Sequence, residues 1–217
     1  MLKKKDFVDI EFTARIKDGE VFDTNVEENA RNAEEAKPLK VCIGEKMILK
    51  GFDDALEGKE TGKEYEIDLK PENAFGFRDP KLVKIIPISV FSEKNISPHA
   101  GMLFDFDGIV AKISSVSGGR VLVDFNNPLA GKNIVYQFKI LRKIDDKNEQ
   151  MKILSEFCLG TDKFEMKNGK AIFEGNFSRQ SFESFSKKVR EILGIEAEQK
   201  KTSEESVEMK GIKISKA

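Results

Sequence analysis

Residues 7–16, FVDIEFTARI, alternate apolar and polar positions almost perfectly, and this constrains the fold more than any other stretch. Val8, Ile10, Phe12, Ala14 and Ile16 fall on one face and Asp9, Glu11, Thr13 and Arg15 on the other, the pattern of a half-buried antiparallel strand. Asp18-Gly19 is a favoured hairpin turn that sends the chain back through Glu20–Asp23. Leu39–Ile43 reads as a further short strand. KEYEIDL (63–69) alternates again, with Tyr65, Ile67 and Leu69 on one face, as do Ile134, Tyr136, Phe138 and Ile140 far downstream. A single short amphipathic helix, with Phe52, Ala55 and Leu56 at i, i+3 and i+4, interrupts these strands between Gly51 and Gly58. Several antiparallel strands with one such helix predict an α+β fold, an antiparallel half-barrel sheet wrapped around the helix.

Residues 77–133 are too long for a hairpin loop. They carry strand patterns at Leu103–Phe106, Ile109–Ile113 and Val121–Phe125, a turn at Gly118-Gly119, and a core of Ile85, Ile88, Met102, Phe104, Val123 and Phe125. This predicts a small β domain, residues 84–128, inserted into a host domain formed by 1–83 plus 129–148; insertion is tolerated at loop tips whose ends lie close together. The remaining 149–217 read as a C-terminal α+β domain. It has a hairpin around Asn168-Gly169 and a helix capped by Ser178, with Phe182, Phe185, Val189, Ile192 and Leu193 on one stripe and a stop at Gly194. The polar run Glu196–Ser206 then leads to a last strand with Val207, Met209, Ile212 and Ile214. So small a core is marginal alone, which favours docking or a homodimer through this domain.

Chemistry is scarce. There is one histidine, His99, in a turn-like SPHAG stretch, so His-based triads and multi-His metal sites have no material. Neither a phosphate-binding glycine loop nor a dinucleotide fingerprint is present. Asp53-Asp54 are neighbours on a helix that diverge in direction, which predicts a solvated face rather than an acid–base pair. With 37 Lys+Arg against 38 Asp+Glu, no net field draws nucleic acid. Cys42 and Cys158 form no CxxC pair and read as free thiols of a reducing compartment. No apolar run approaches a membrane span, and the N-terminus lacks a secretion core; a cytoplasmic location is expected.

The words DGEVFDTN (18–25), IGEKMILKGFDDALEGKETG (43–62), NAFGF (73–77) and IVYQFKIL (134–141) occur in an order and spacing that resembles the FKBP-type peptidyl-prolyl isomerases. An insert after AFG, leaving through NNPLAGKN (126–133), is similar to the SlyD-type and long archaeal members. The resemblance implies a folding isomerase and chaperone without cofactor or metal, since the His- and Cys-rich tail that binds nickel in SlyD is absent. It implies unfolded or nascent proline-containing chains as partners, with no nucleic acid or membrane. The alternative is a holdase whose isomerase activity is weak or idle.

By the same resemblance Phe12, Phe22, Ile48, Leu49, Phe52 and Tyr136 would hold the proline ring, and the Leu49 N–H would bind the carbonyl after it. Asp23 would sit beside the twisting amide. Three positions depart from the family: Phe75 stands where a tyrosine is usual, Phe52 where a tryptophan is usual, and Leu39 where a phenylalanine is usual. Taken alone, each aromatic also reads as ordinary half-barrel core. In the insert, Ile86, Ile88, Val90, Phe91, Met102, Leu103 and Phe104 outnumber what a small core needs, which predicts an apolar patch able to hold client segments.

Overall fold

The computed structural model describes residues 1–28, 32, 36–106 and 108–200. The chain divides into two compact units, Met1–Lys143 and Ile144–Ala217. In the first, β1 (Phe7–Ile16), β2 (Val21–Thr24), β3 (Leu39–Cys42), α1 (Lys50–Leu56) and β4 (Glu64–Leu69) follow in order. The chain then runs through β5 (Val83–Pro87), α2 (Ser89–Ser92), β6 (Leu103–Phe106), β7 (Ile109–Ser117) and β8 (Arg120–Asp124) before β9 (Ile134–Ile144).

One sheet has the order β2-β1-β9-β4, and β3 also pairs with β1. β3 takes Phe7–Ile10 of β1, and β2 takes Thr13–Arg15 with a register shift after Ala14. Between β4 and β9 the antiparallel register sets Tyr65 opposite Phe138, Ile67 opposite Tyr136 and Leu69 opposite Ile134. Residues directly opposite share a face, so the two alternating runs merge into one apolar surface. Phe52 and Leu56 of α1 are buried against it with Val8, Ile10, Phe12, Ala14, Tyr136, Phe138 and Ile140. Antiparallel sheets and few helices are what the alternation predicted.

Two acidic residues depart from that reading. Asp9 was expected on the solvent face, yet Phe7–Ile10 are all buried, so this half of β1 is covered on both faces. The Asp9 carboxylate is 5% exposed and is compensated by Arg142 Nε at 2.6 Å. Asp53 was expected to be solvated, yet it is buried because its oxygens accept from the Gly44 N–H (2.8 Å) and the Lys46 N–H (3.1 Å). Both donors belong to left-handed residues, φ 85° at Gly44 and 58° at Lys46. A charge is retained in an interior only when it is paired in this way.

The second sheet has the order β5-β8-β7-β6. One face packs Phe91, Ala111, Ile113, Val121 and Val123 together, with Ile86, Ile88, Met102, Phe104, Phe106 and Phe125 partly buried around them. Ile85, predicted to lie inside, is 65% exposed. Its register partner is Leu122, while the core residue Val121 faces Ile86, so the strand's period of two turns Ile85 outward.

In the second unit, α3 (Lys147–Leu159), β10 (Glu165–Lys167), β11 (Lys170–Glu174), α4 (Arg179–Leu193) and β12 (Glu196–Lys200) follow. Ser178 caps α4 by accepting from the Ser181 N–H, and Gly194 ends it at φ 70°. Phe182, Phe185 and Val189 are buried as the stripe predicted. Two elements were not anticipated. α3 is capped by Asp146, which accepts from the Glu149 N–H. Glu196–Lys200, read as part of a polar run, is a strand pairing in parallel with β11. It carries little apolar signal because Glu196 and Glu198 pair with Lys170, and Lys200 with Glu174. The strand predicted around Val207–Ile214 lies outside the described residues.

Candidate active site

The five-stranded sheet and α1 meet in one apolar cluster. Its floor is Phe12 (8% exposed), Phe52 (1%) and Tyr136 (5%). Phe52 stacks on Tyr136 with ring centroids 4.4 Å apart, and Phe12 meets both rings at 6.0 and 5.8 Å. Half-buried Phe22, Leu39, Ile48, Leu49 and Phe75 pack on this cluster as walls, and Phe22 meets Phe75 edge to face at 5.9 Å. Every apolar residue assigned to the cleft from sequence therefore belongs to one assembly, although the residues come from four strands, one helix and two loops.

Asp23 follows Phe22 on β2 and is exposed at the rim. Its charge reaches the floor. Burial pushes the Tyr136 phenol up to about 12 from an ordinary 10.0, and the Asp23 carboxylate adds to that rise. Tyr136 is thus held as a neutral hydroxyl, able to donate a hydrogen bond but not to act as a base near neutrality.

Leu49 precedes α1 in an extended conformation (φ −53°, ψ 135°). Its carbonyl accepts from the Phe52 and Asp53 N–H groups, each at 2.9 Å. Among the described residues no protein acceptor takes the Leu49 N–H. The following Gly51 lies where α1 meets the turn at Pro71–Asn73: a Cβ there would stand 2.6 Å from the Asn73 carbonyl oxygen and 2.8 Å from Leu69 Cδ2. Only glycine permits this close approach, which brings α1 up to the segment leading to Phe75.

Sequence reasoning missed two supporting residues. Asn25 is buried, and its Oδ1 accepts from the Phe12 N–H (2.6 Å) while its Nδ2 donates to the Ile10 carbonyl (2.9 Å). It replaces ladder bonds where β2 leaves β1 and so fixes the backbone carrying Phe12. The other is Asp53, whose two hydrogen bonds order Gly44–Lys46 just before Ile48 and Leu49. An Asn immediately after a strand end, and an Asp in the first turn of a helix, were the available signals.

Of the residues assigned to client binding, Val90 (41%) and Leu103 (62%) are exposed. Ile86, Ile88, Met102 and Phe104 are partly buried against the core of the second sheet. Phe91 is a correction: it is 1% exposed, with rings of Phe104 and Phe106 at 5.6 and 5.9 Å, and fills that core rather than facing solvent. His99 is exposed, its ring lies 3.3 Å from the neighbouring Ala100 carbonyl, and its own carbonyl accepts from the Met102 N–H at 3.2 Å.

A family model for the FKBP-type peptidyl-prolyl cis-trans isomerase matches residues 1–106, and one for the IF domain of FKBP26 matches residues 84–129. The chain is 34% identical over 146 residues to the short-type peptidyl-prolyl cis-trans isomerase of Methanocaldococcus jannaschii, covering 64% of this chain and 92% of that protein. It is 30% identical over 140 residues to a probable FKBP-type 16 kDa isomerase of Pseudomonas fluorescens, covering 62% and 86%. To the SlyD isomerase of Haemophilus influenzae it is 28% identical over 144 residues, covering 64% and 71%. Together with the VFD and GFDDALEGKETG words and a cleft walled by those residues, this identifies the chain as a member of the FKBP-type peptidyl-prolyl cis-trans isomerase family.

Proposed function

We propose that X–Pro bonds are twisted in the cleft of Phe22, Asp23, Leu49, Phe75 and Tyr136, and that residues 84–128 act as an inserted chaperone domain that holds unfolded client chains. The host is 1–83 plus 129–148, with 149–217 as a separate C-terminal domain, and the setting is the cytoplasm. Among the described residues no helix is long and apolar enough to cross a membrane.

Rotation about an X–Pro bond is slow because it breaks amide resonance, against a barrier of ~18–20 kcal/mol. No proton or electron is transferred. A catalyst has only to favour the twisted amide, whose charge separation is smaller than that of the planar one. A dry aromatic floor does so, because a less polar state loses less on leaving water. Phe12, Phe52 and Tyr136 supply the floor, Phe22 and Phe75 the sides, and the Leu49 N–H a donor for the carbonyl after proline. The observation that supports the reading is the packing of Phe12, Phe22, Leu49, Phe52, Phe75 and Tyr136 into one cluster, with Asp23 near enough for its charge to raise the Tyr136 phenol.

Client holding is supported by the outer face of the second sheet. Opposite the buried Ile113, Val121 and Val123, the register turns Ile85 (65% exposed), Leu103 (62%) and Val110 (60%) to solvent. These aliphatic side chains offer apolar area on which an extended client segment can pack. Binding there would raise the effective concentration of the client's prolines at the cleft.

The test compares the full chain with one lacking residues 84–127 in refolding limited by proline isomerisation. Substoichiometric full chain is expected to accelerate the slow phase. Deletion is expected to cost about tenfold or more on protein clients while sparing tetrapeptides. Acceleration needing stoichiometric protein would favour a holdase, and equal loss on both substrates would remove the client-holding role.

A further inference from the structure

Two strands join the host sheet to the second sheet, and they are cross-bonded where they pass. The outgoing strand leaves the cleft at Phe75 and runs through Arg78 and Asp79. The return strand runs from Asp124 at the end of β8 through Asn126 to Leu129, which packs on the host core. Asn126 is 8% exposed and Asp124 7%.

The Asn126 amide is used at both ends. Its Oδ1 accepts from the Asp79 N–H at 2.8 Å, and its Nδ2 donates to the Asp79 carbonyl at 3.1 Å and to Asp124 Oδ1 at 2.8 Å. Asp124 Oδ1 also accepts from the Asn126 N–H at 2.9 Å, and Arg78 pairs with Asp124 Oδ2. Burial opposes the charge on Asp124, but the bonds from Asn126 and Arg78 outweigh it and hold the carboxyl below its ordinary value. Two backbone bonds flank the crossing: Phe125 N–H to the Leu82 carbonyl (3.0 Å), and Gly131 N–H to the Gly76 carbonyl (2.8 Å).

A flexible tether needs none of this; it is rich in small residues and carries no bonds between its strands. A buried polar network with its members satisfied selects one arrangement, because every alternative leaves a buried group unpaired. Arg78 is three residues from Phe75, so the same crossing is continuous with the wall of the cleft.

We propose that Asn126 and Asp124 are positioning residues for catalysis on protein substrates, holding the second sheet at one orientation to the cleft so that a chain bound on the former presents its prolines to the latter. This rests on the reading that the cleft turns the bond and the second sheet holds the client. Neither residue touches the twisting amide. Their effect falls on productive engagement of long chains, and short peptides, which need no second contact, do not use it.

The test uses Asn126→Ala and the milder Asp124→Asn in the full chain. For Asn126→Ala, kcat/KM on a proline tetrapeptide is expected to stay within about twofold of the parent. On a refolding protein it is expected to fall about tenfold, mainly through KM. Residual dipolar couplings should fit one alignment tensor across both sheets in the parent and two in the variant. Asp124→Asn should shift each readout the same way by less, and carries the test should Asn126→Ala not fold. Two tensors with refolding catalysis intact would overturn the proposal, as would equal losses on peptide and protein. A parent no better on protein chains than on tetrapeptides would overturn the client-delivery reading and this inference with it, and a parent inert on both would overturn the cleft.

Discussion

In the cleft, Phe22 and Phe75 stand edge to face over a floor of Phe12, Phe52 and Tyr136, and the wall rings remain half exposed. In the second sheet, Phe91, Phe104, Phe106 and Phe125 close on one another, with neighbouring centroids between 4.7 and 5.9 Å apart, while aliphatic side chains occupy the solvent face. Both regions pack phenylalanine on antiparallel strands. In the first, Phe22 and Phe75 stay half-buried over the closed floor, and Asp23 stands exposed beside them. In the second, a helix of four residues, Ser89–Ser92, drops Phe91 into the gap and seals it. An aromatic surplus therefore does not by itself mark a binding surface. What marks one is the apolar area left over after the core has closed.

The largest effect follows from that seal. Phe91→Ala removes a ring that is 1% exposed, and about 3–5 kcal/mol is expected to be lost from the second sheet. Amide exchange should become fast across β5–β8 while β1, β4 and β9 stay protected, and tetrapeptide isomerisation should survive. Loss of protection in both sheets at once would mean that the two cores fold as one unit and would undo the comparison.

A smaller effect is expected at the rim of the cleft. Asp23→Ala truncates an exposed side chain, so the cost in stability should be small beside that of Phe91→Ala. Catalysis on tetrapeptides should nevertheless fall about tenfold, ~1.4 kcal/mol in the barrier. The same substitution has a spectroscopic signature. A negative charge beside a phenol disfavours phenolate, so its removal should lower the Tyr136 midpoint from about 12, leaving it above 10.0 because burial is the larger cause. An unmoved midpoint in an ultraviolet titration would place Asp23 outside the electrostatic reach of the floor.

How much of this was legible beforehand depends on how locally each residue is satisfied. The strands β1, β4 and β9 were readable because alternation needs only the sheet's own period. The walls of the cleft were readable through the family's words, not through chemistry, since no titratable group there advertises itself. Asp9 and Asp53 misled because burial of a carboxylate depends on a distant donor: Arg142 for one, the backbone of Gly44 and Lys46 for the other. Asn126 read only as the start of the segment leaving the insert, since Asp79, whose N–H and carbonyl it binds, lies 47 residues earlier in the chain. Phe91 stands among the client-binding candidates because a surplus of apolar residues does not say which of them the core will take. α3 had its signals, Asp146 with Glu149 at the start and Gly160 at φ 70° at the end. Its buried residues Met151, Ile153 and Leu154 are mixed with buried Gln150 and Ser155, which blurred the stripe.

The smallest effect concerns the family departure at Phe75. Where the family usually carries a tyrosine, this ring lacks a hydroxyl, and a hydrogen bond of about 1 kcal/mol to the substrate is absent. Phe75→Tyr adds one oxygen to a half-buried ring that already leans edge-on against Phe22. Since the wall is partly open to solvent, the hydroxyl is not forced into a sealed core and stability should hold. If the added group reaches the substrate carbonyl, kcat/KM on tetrapeptides should rise about fivefold, the equivalent of ~1 kcal/mol, and affinity for macrolide inhibitors should rise with it. Unchanged kcat/KM and inhibitor affinity in a folded variant would rule out the missing hydroxyl as the limit on the cleft. The contrast between a half-exposed wall and a sealed core would then rest on the shape of the walls alone.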